Sequence, residues 1–394
     1  MIAKRRVVYG FGLFVLGTIA CGVSRAAAAD SFVQSVRALL LLQDAMAAGQ
    51  TNSVARQRKI IEEIEVRFGG TGHGPEPNEA NGKAALSYVL SGGPPEIAET
   101  LAKDERIPEL IKRLLEAAVR FKRGDNAEAL RLVSRVEAIY LPVDIAGRVA
   151  LIQAMLMPET DLAKKQALLK LAVQLMPGTL VEEAALRRAV GHAADSGDMP
   201  EFWHLAERYV RRFSSSLFAE EFIADFIEHV VKLEKQKNSA DRGKLEVLMN
   251  RFPVNRRRDS YLLLAQLASI AGMPQFTQYS AKRAQRLAVE GSREWQRAEL
   301  YGGVYGVTGE DYGGQLARLH KLNPELLDAT EGELLSAAIQ VAERIRAPGK
   351  VDPLLLPEGG PSDLPTEQQA LMTRAEQSLE AADAMLASLT KDGS

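Results

Sequence analysis

Apolar residues recur at three- and four-residue steps along almost the whole chain, the period of helices with one buried side. Between Ser35 and Ala48, the residues Val36, Leu39, Leu40, Gln43 and Ala47 fall on one such side. Gly49-Gln50 interrupts the pattern, and Ser53 to Phe68 resumes it with Ile60, Ile61, Ile64 and Phe68. The run from Phe68 to Pro77, rich in glycine and closed by two prolines, reads as a loop. A shorter helical pair, Ala84–Leu90 and Pro95–Lys103, flanks Gly92-Gly93.

The interruptions form a series. Gly49, Gly93, Gly124, Gly197, Gly272 and Gly309 each separate two helical stretches, with further breaks near Pro158 and Asn238. From Gly124 onward the step is roughly 35–40 residues, the range of two-helix repeats. The clearest unit pairs Ile107–Arg123 with Asn126–Tyr140. Ala117 lies before its glycine, Ala129, Val133 and Val136 follow it, and Pro142 ends it. Small residues belong where two helices touch, and proline stops the second helix. In Val181–Phe213, Gly197 is followed by Phe202, Ala206 and Tyr209; in Tyr261–Ala288, Gly272 is followed by Thr277, Ala281 and Ala284. The unit around Gly309 carries Gln315, Leu316, Leu319 and Leu322 and stops at Pro324. Between these, Leu162–Leu175 ends at Pro177-Gly178 and Gly243–Arg251 at Phe252-Pro253. The expected fold is all-α, a TPR-like solenoid of helical hairpins. The large aromatic positions of consensus TPR are absent, so a non-repetitive helix bundle stands as the alternative.

The two ends depart from this pattern. Lys4, Arg5 and Arg6 precede an uncharged run from Val7 to Ala20 that is short for a bilayer span, and Ala26-Ala27-Ala28-Ala29 follows. This is the layout of a secretory signal peptide, residues 1–29, cleaved before Asp30. Retention as an N-terminal anchor is the alternative. Arg5-Arg6 has a poor continuation for twin-arginine export, and Thr18-Ile19-Ala20 is a poor approach to a lipidated Cys21. Residues 30–346 make the helical repeat domain. Residues 347–365 hold Pro348, Pro353, Pro357, Pro361 and Pro365 and read as an extended linker. Residues 366–394 contain a last amphipathic helix, Thr366–Leu389, either docked as a cap or, as favoured by the long linker, detached.

Charge and cysteine usage narrow the partners. The 394-residue chain carries 49 basic and 51 acidic residues, a net charge of −2. Without the four basic residues of the leader the balance becomes 45 against 51, which argues against nucleic acid as the main partner. Cleavage would also remove the single cysteine, so the exported chain would hold neither disulfide nor thiolate metal site. No other apolar run approaches a membrane span, so the cleaved protein is expected to have none.

Motifs for chemistry are missing. There is no G-x-x-x-x-G-K-[ST], H-E-x-x-H or G-x-S-x-G. Gly69-Gly70-Thr71-Gly72-His73-Gly74 lacks phosphate-loop spacing, and Pro75 stands where a helix should offer its amides. His73, His192, His204, His229 and His320 are dispersed, and Glu201-Phe-Trp-His204 is a single Glu-x-x-His where di-iron bundles use two. Glu182-Glu183 and Glu220-Glu221 are expected to be solvated helix starts that complement the helix dipole. Arg187-Arg188, Arg211-Arg212 and Arg256-Arg257-Arg258 are either solvated helix ends or, most sharply for the triple, contacts for an acidic partner. No residue is nominated as catalytic, cofactor-binding or metal-ligating.

Three segments carry a family resemblance. Val36-Arg-Ala-Leu-Leu-Leu-Leu-Gln-Asp44, Ala85-Leu-Ser-Tyr-Val-Leu-Ser-Gly-Gly93 and, most closely, Pro177-Gly-Thr-Leu-Val-Glu-Glu-Ala-Ala-Leu-Arg-Arg188 resemble the MotC periplasmic motility proteins of rhizobia and related alphaproteobacteria. Tyr261-Leu-Leu-Leu-Ala265 with Ala271-Gly272 also fits. The similarity runs from about Ser31 to Leu322, and the stretch after Ala347 resembles nothing familiar. The resemblance implies an exported, non-enzymatic accessory protein of the flagellar motor that acts on the periplasmic part of the stator subunit MotB. It leaves open whether Pro177–Arg188 is a contact site or a packing junction; the Pro-Gly turn before Glu-Glu suits a helix start and favours packing. The rivals are an envelope scaffold or lipoprotein with another client, and a glycan-cleaving enzyme built on two of the 51 acidic residues.

Overall fold

Helices with one apolar stripe must bury it against a neighbour, and here most do so against helices close to them along the chain. The computed structural model describes residues 26–346, except 52, 71–73, 159, 237–240 and 307–311. Seventeen α-helices and no strand occur among the described residues. An N-terminal group comprises α1 (Ala26–Ala47), α2 (Val54–Phe68), α3 (Glu79–Leu90) and α4 (Glu96–Ala102). Hairpins follow: α5 (Glu109–Lys122) with α6 (Asn126–Val133), α7 (Val143–Leu156) with α8 (Leu162–Leu175), and α9 (Leu180–Asp195) with α10 (Met199–Phe213). Next come α11 (Ala219–Lys235) with α12 (Arg242–Met249), α13 (Val254–Ile270) with α14 (Pro274–Leu287), α15 (Arg293–Val304) with α16 (Tyr312–Leu319), and α17 (Ala329–Arg346).

The period is real. First helices begin at Glu109, Val143, Leu180, Ala219, Val254, Arg293 and Ala329, steps of 34 to 39 residues. They stack in one layer, α7 on α9, α9 on α11, α11 on α13, α13 on α15 and α15 on α17. Two second helices bridge successive first helices: α8 touches α7 and α9, and α14 touches α13 and α15, while α12 packs on α10. The all-α hairpin stack expected from the pattern is therefore present. Its units are uneven, since α6, α12 and α16 have 8 residues each against 14 or 15 in α8, α10 and α14.

Five of the connecting turns share one hydrogen-bond pattern. At residues 49, 92, 124, 197 and 272 the glycine N–H donates to the carbonyl three back. The following N–H donates to the carbonyl five back, and all these bonds span 2.9–3.2 Å. This left-handed C-terminal cap needs a positive φ that glycine alone adopts cheaply. In the second turn the left-handed residue is Gly92 (φ 103°) rather than the expected Gly93, whose place is fixed instead by the ring of Tyr88 beneath it. Asp125 and Asp198 follow two of these glycines and cap the next helix through Glu128 N–H and Glu201 N–H. The small positions named from the pattern, Ala117, Ala129, Ala206, Thr277, Ala281 and Ala284, are all buried.

Two expectations shift. The second helix of the first hairpin stops at Val133 instead of reaching Tyr140, and a short 3-10 turn covers Ala138–Tyr140. Gln153 of α7 accompanies the stop: its Nε2 donates to the carbonyls of Val133 and Val136, replacing the donors that a continued helix would have provided. The first helix begins well before Ser35, and Phe32, fully buried, packs edge-on to Phe68 and Tyr88. The core is continuous from Phe32 to Ala298, and a second cluster joins Leu300, Leu316, Leu319 and Leu322 to Leu335, Ala338 and Ala342 of α17. No helix among the described residues is long and apolar enough to cross a membrane. Residues 1–25, the Asn238 and Gly309 breaks, the linker 347–365 and the helix expected in 366–394 lie outside the described residues.

Gly49 differs from the other turn glycines because the chain packs against it. Its φ is 72°, and a Cβ there would overlap the backbone of Ser215 in the turn between α10 and α11. Gly124 (φ 82°) faces open space. Gly124→Ala is expected to cost about 1 kcal/mol for its backbone conformation alone, whereas Gly49→Ala should cost about 2–4 kcal/mol once overpacking is added. Urea unfolding of the two variants measures the difference; equal losses would show that the contact with Ser215 has no energetic weight.

Candidate functional site

The start of α9 is where distant parts of the chain are tied together. Pro177 ends the preceding segment, Gly178 turns the chain at φ 81°, and Thr179 stands extended before Leu180. The first amides of a helix have no partner within it. Thr179 does not supply one: its side chain makes no bond to the helix, and its hydroxyl donates to Met176 O at 2.7 Å. Instead Leu180 N–H donates at 2.8 Å to Oδ1 of Asp44, near the C-terminal end of α1 and 136 residues away. Gly178 N–H donates at 2.6 Å to Oε2 of Glu182. The same end of α1 meets the α10–α11 turn, where Leu217 N–H donates to Met46 O at 3.3 Å.

Glu182 and Glu183, expected to be solvated, are both fully buried. The reason is tertiary: α9 is covered by α7, α8, α10, α11 and α1, so its first turn has no solvent side for them. Each carboxylate is compensated instead. Glu182 faces Arg208 at 2.9 Å and Arg212 at 3.1 Å, both from α10. Glu183 accepts the Tyr209 hydroxyl at 2.7 Å and faces Arg187 Nε at 3.4 Å. Arg187 also pairs with Glu221 of α11 and lies 5.6 Å over the Phe218 ring. Glu220 and Glu221 do remain exposed, as expected of a helix start. Burial pushes the Glu183 carboxyl above the usual range against the opposing pull of Tyr209 and Arg187. Burial likewise raises Asp44, with the Leu180 N–H and Arg148 opposing.

The three segments that carry the family resemblance meet here. Asp44 of the first reaches Leu180 of the third. Gln43 Nε2, also of the first, donates at 2.8 Å to the carbonyl of Ser91 in the second. Arg148 of α7 donates through Nη1 to Ser91 Oγ at 3.3 Å. Beside this junction opens a cleft of about 240 Å³, walled by Phe121, Leu151, Met155, Leu180, Val181 and Phe218 and edged by Arg148, Arg187 and Arg188. Arg148 is only 7% exposed, its Nε has no hydrogen-bond partner, and it forms no ion pair among the described residues. Sequence reasoning missed both Asp44 and Arg148. A lone Asp at a helix end and a lone Arg inside an apolar helix look ordinary until the fold brings them to the same place.

The other candidates are placed plainly. His192 is buried, with Nε2 2.8 Å from Leu162 O; His204 is exposed beside buried Trp203; His229 and His320 lie 3.9 and 3.8 Å from Asp195 and Glu343. The dispersion seen in the sequence persists in space, and His73 falls outside the described residues. Among the described residues no three His, Cys, Asp or Glu side chains are grouped to hold a metal. The arginine triple is committed within the fold: Arg256 donates to Ser214 O, Arg257 to Asn250 Oδ1 at 2.7 Å, and Arg258 to Asp259 Oδ1 at 2.8 Å while facing Glu294 of α15 at 3.5 Å. These bonds tie α13 to its neighbours. Arg212 and Arg187 are likewise engaged with α9 and α11.

A stack of helical hairpins with buried ion pairs at its joints and an apolar, arginine-edged cleft is an architecture of the helical-repeat class. The family profile described as chemotaxis protein MotC matches residues 2–392, and the chain belongs to this family. It is 28% identical over 333 residues to the chemotaxis protein MotC of Rhizobium meliloti strain 1021, covering 84% of this chain and 76% of that protein. No solved structure matches the chain. The family match passes the limit of the resemblance at Leu322 and takes in most of the stretch after Ala347 that resembled nothing familiar.

The buried junction makes two predictions. Tyr209→Phe removes the donor to a buried carboxylate and should cost about 1.5–3 kcal/mol, read as a lower urea midpoint; a change within error would mean that Arg187 alone suffices. The pH response has a definite sign. A carboxyl raised by folding holds its proton more tightly in the folded chain. That contribution is full below the ordinary carboxylate range and is lost as pH rises through the raised value. The double variant Asp44→Asn, Glu183→Gln lacks these protons. Its stability should therefore fall less than the parent's between about pH 4 and about pH 8, measured by urea unfolding; an equal fall refutes the raised carboxyls.

Proposed function

We propose that this chain is a periplasmic, non-enzymatic accessory protein of the flagellar motor that binds the periplasmic part of the stator protein MotB and is required for motility. Membership of the MotC family over nearly the whole chain carries the reading. The export signal rests on Lys4–Arg6, the apolar run to Ala20 and the alanines before Asp30. A role in binding is supported by the architecture, because stacked hairpins present a long continuous surface. The engagement of the best acidic and basic clusters in holding helices together supports a role without catalysis.

In-frame deletion in the native cell tests this. Swimming should be lost and tethered cells should stop rotating while flagella are still made. The full gene should restore rotation, and a copy lacking residues 2–29 should not. Normal rotation in the deletion strain removes the motor role, and restoration by the leaderless copy removes the periplasmic one.

A further inference from the structure

Arg148 is a buried cation that forms no ion pair among the described residues. A guanidinium taken from water is normally compensated by a carboxylate, since an unpaired buried charge is expensive. The two acids whose fields reach it are Asp44 and Asp144. Neither is within ion-pair distance of it: Asp44 Oδ1 accepts Leu180 N–H, and Asp144 lies 3.7 Å from Lys83. Ser91 Oγ holds one end of the planar fork in place, and Nε remains unpartnered. Rim charge adds to the field: Arg187 is balanced by Glu183 and Glu221, but Arg188 bonds only to Ala184 O. A chain of net charge −2 thus keeps a local positive excess inside an apolar cleft.

We propose that this cleft docks a short segment of a partner protein in which an Asp or Glu is flanked by apolar side chains. The carboxylate pairs with Arg148, and the apolar neighbours lie against Phe121, Leu151 and Phe218. The proposal rests on the reading of the chain as a protein-binding scaffold. Arginine suits the role because its fork meets a carboxylate through two parallel hydrogen bonds. The size of the cleft fixes how much of the partner enters. At about 240 Å³ it falls below the roughly 300–1,000 Å³ of small-molecule sites, so it admits one or two side chains and leaves the rest of the segment on the surface. The free protein bears the cost of the unpaired cation, and the partner's carboxylate relieves it.

The experiment replaces Met155, at the cleft's exposed lip, with a photo-crosslinking amino acid in the full chain, expressed in its native cell. The expected product is a crosslink to another protein, within a segment holding an Asp or Glu beside apolar residues. Arg148→Gln should lower its yield about tenfold or more, as for loss of a charge-assisted bond. Leu151→Glu, three residues along α7 from Arg148, sets a like charge beside the carboxylate and offers Arg148 an internal partner, and should lower it comparably. Arg131→Gln, on the surface in a pair with Glu128, should leave it unchanged. The thermal midpoint of Arg148→Gln should equal or exceed the parent's, because an uncompensated buried charge is gone. A lowered midpoint makes Arg148 structural and overturns the proposal. So does an unchanged yield in Arg148→Gln, a captured segment without a carboxylate, or a crosslink to residues 366–389 of the same chain. Capture of a carboxylate-bearing segment from a protein other than the stator keeps the cleft's chemistry and removes the stator reading.

Discussion

The structure depends on one partly buried polar contact, the carboxylate of Asp44 on the first amide of α9. The start of α9 is half-buried under five neighbours, and its own capping residue makes no side-chain bond to the helix. The amide therefore takes its acceptor from the far end of α1, and that requirement folds the N-terminal group onto the middle of the array. Gly49 against Ser215 and Leu217 N–H on Met46 O follow within a few residues. Loss of such an acceptor leaves a buried donor unsatisfied, which is why a single bond of this kind has architectural weight.

The same crowding explains the glutamates and arginines around α9. Glu182 and Glu183 enter the interior because the helix they begin is central, and Arg208, Arg212, Tyr209 and Arg187 accompany them as compensation. Most charged groups at the junction are balanced. Arg148 is the most buried of those that form no ion pair among the described residues, and it lines the cleft beside the N-terminal group. An imbalance in an otherwise compensated interior is informative, since folding alone gives no reason to keep it.

How legible was this molecule in its residues? The hairpins were, because helical periodicity and glycine caps are local: Gly124, Gly197 and Gly272 turn as their spacing predicts, and Ala129, Ala206 and Ala281 are buried where two helices touch. The early stop at Val133 was not, because the residue that accompanies it, Gln153, belongs to the next hairpin. The pair Glu182-Glu183 has the composition of an exposed helix start and was read as one. The identical composition at Glu220-Glu221 is indeed exposed. The difference lies in how many neighbours cover each helix, which no local window contains.

By itself the sequence determined the class of fold, the step of the repeat and the family, since these rest on short-range patterns of apolar, small and turn-forming residues and on runs such as Pro177–Arg188. The tertiary structure decided which charges are interior. It brought Asp44, Ser91, Arg148 and Leu180 into one site from four separate helical units. Electrostatic cost depends on distance from water and from countercharge, and both are properties of the folded chain alone.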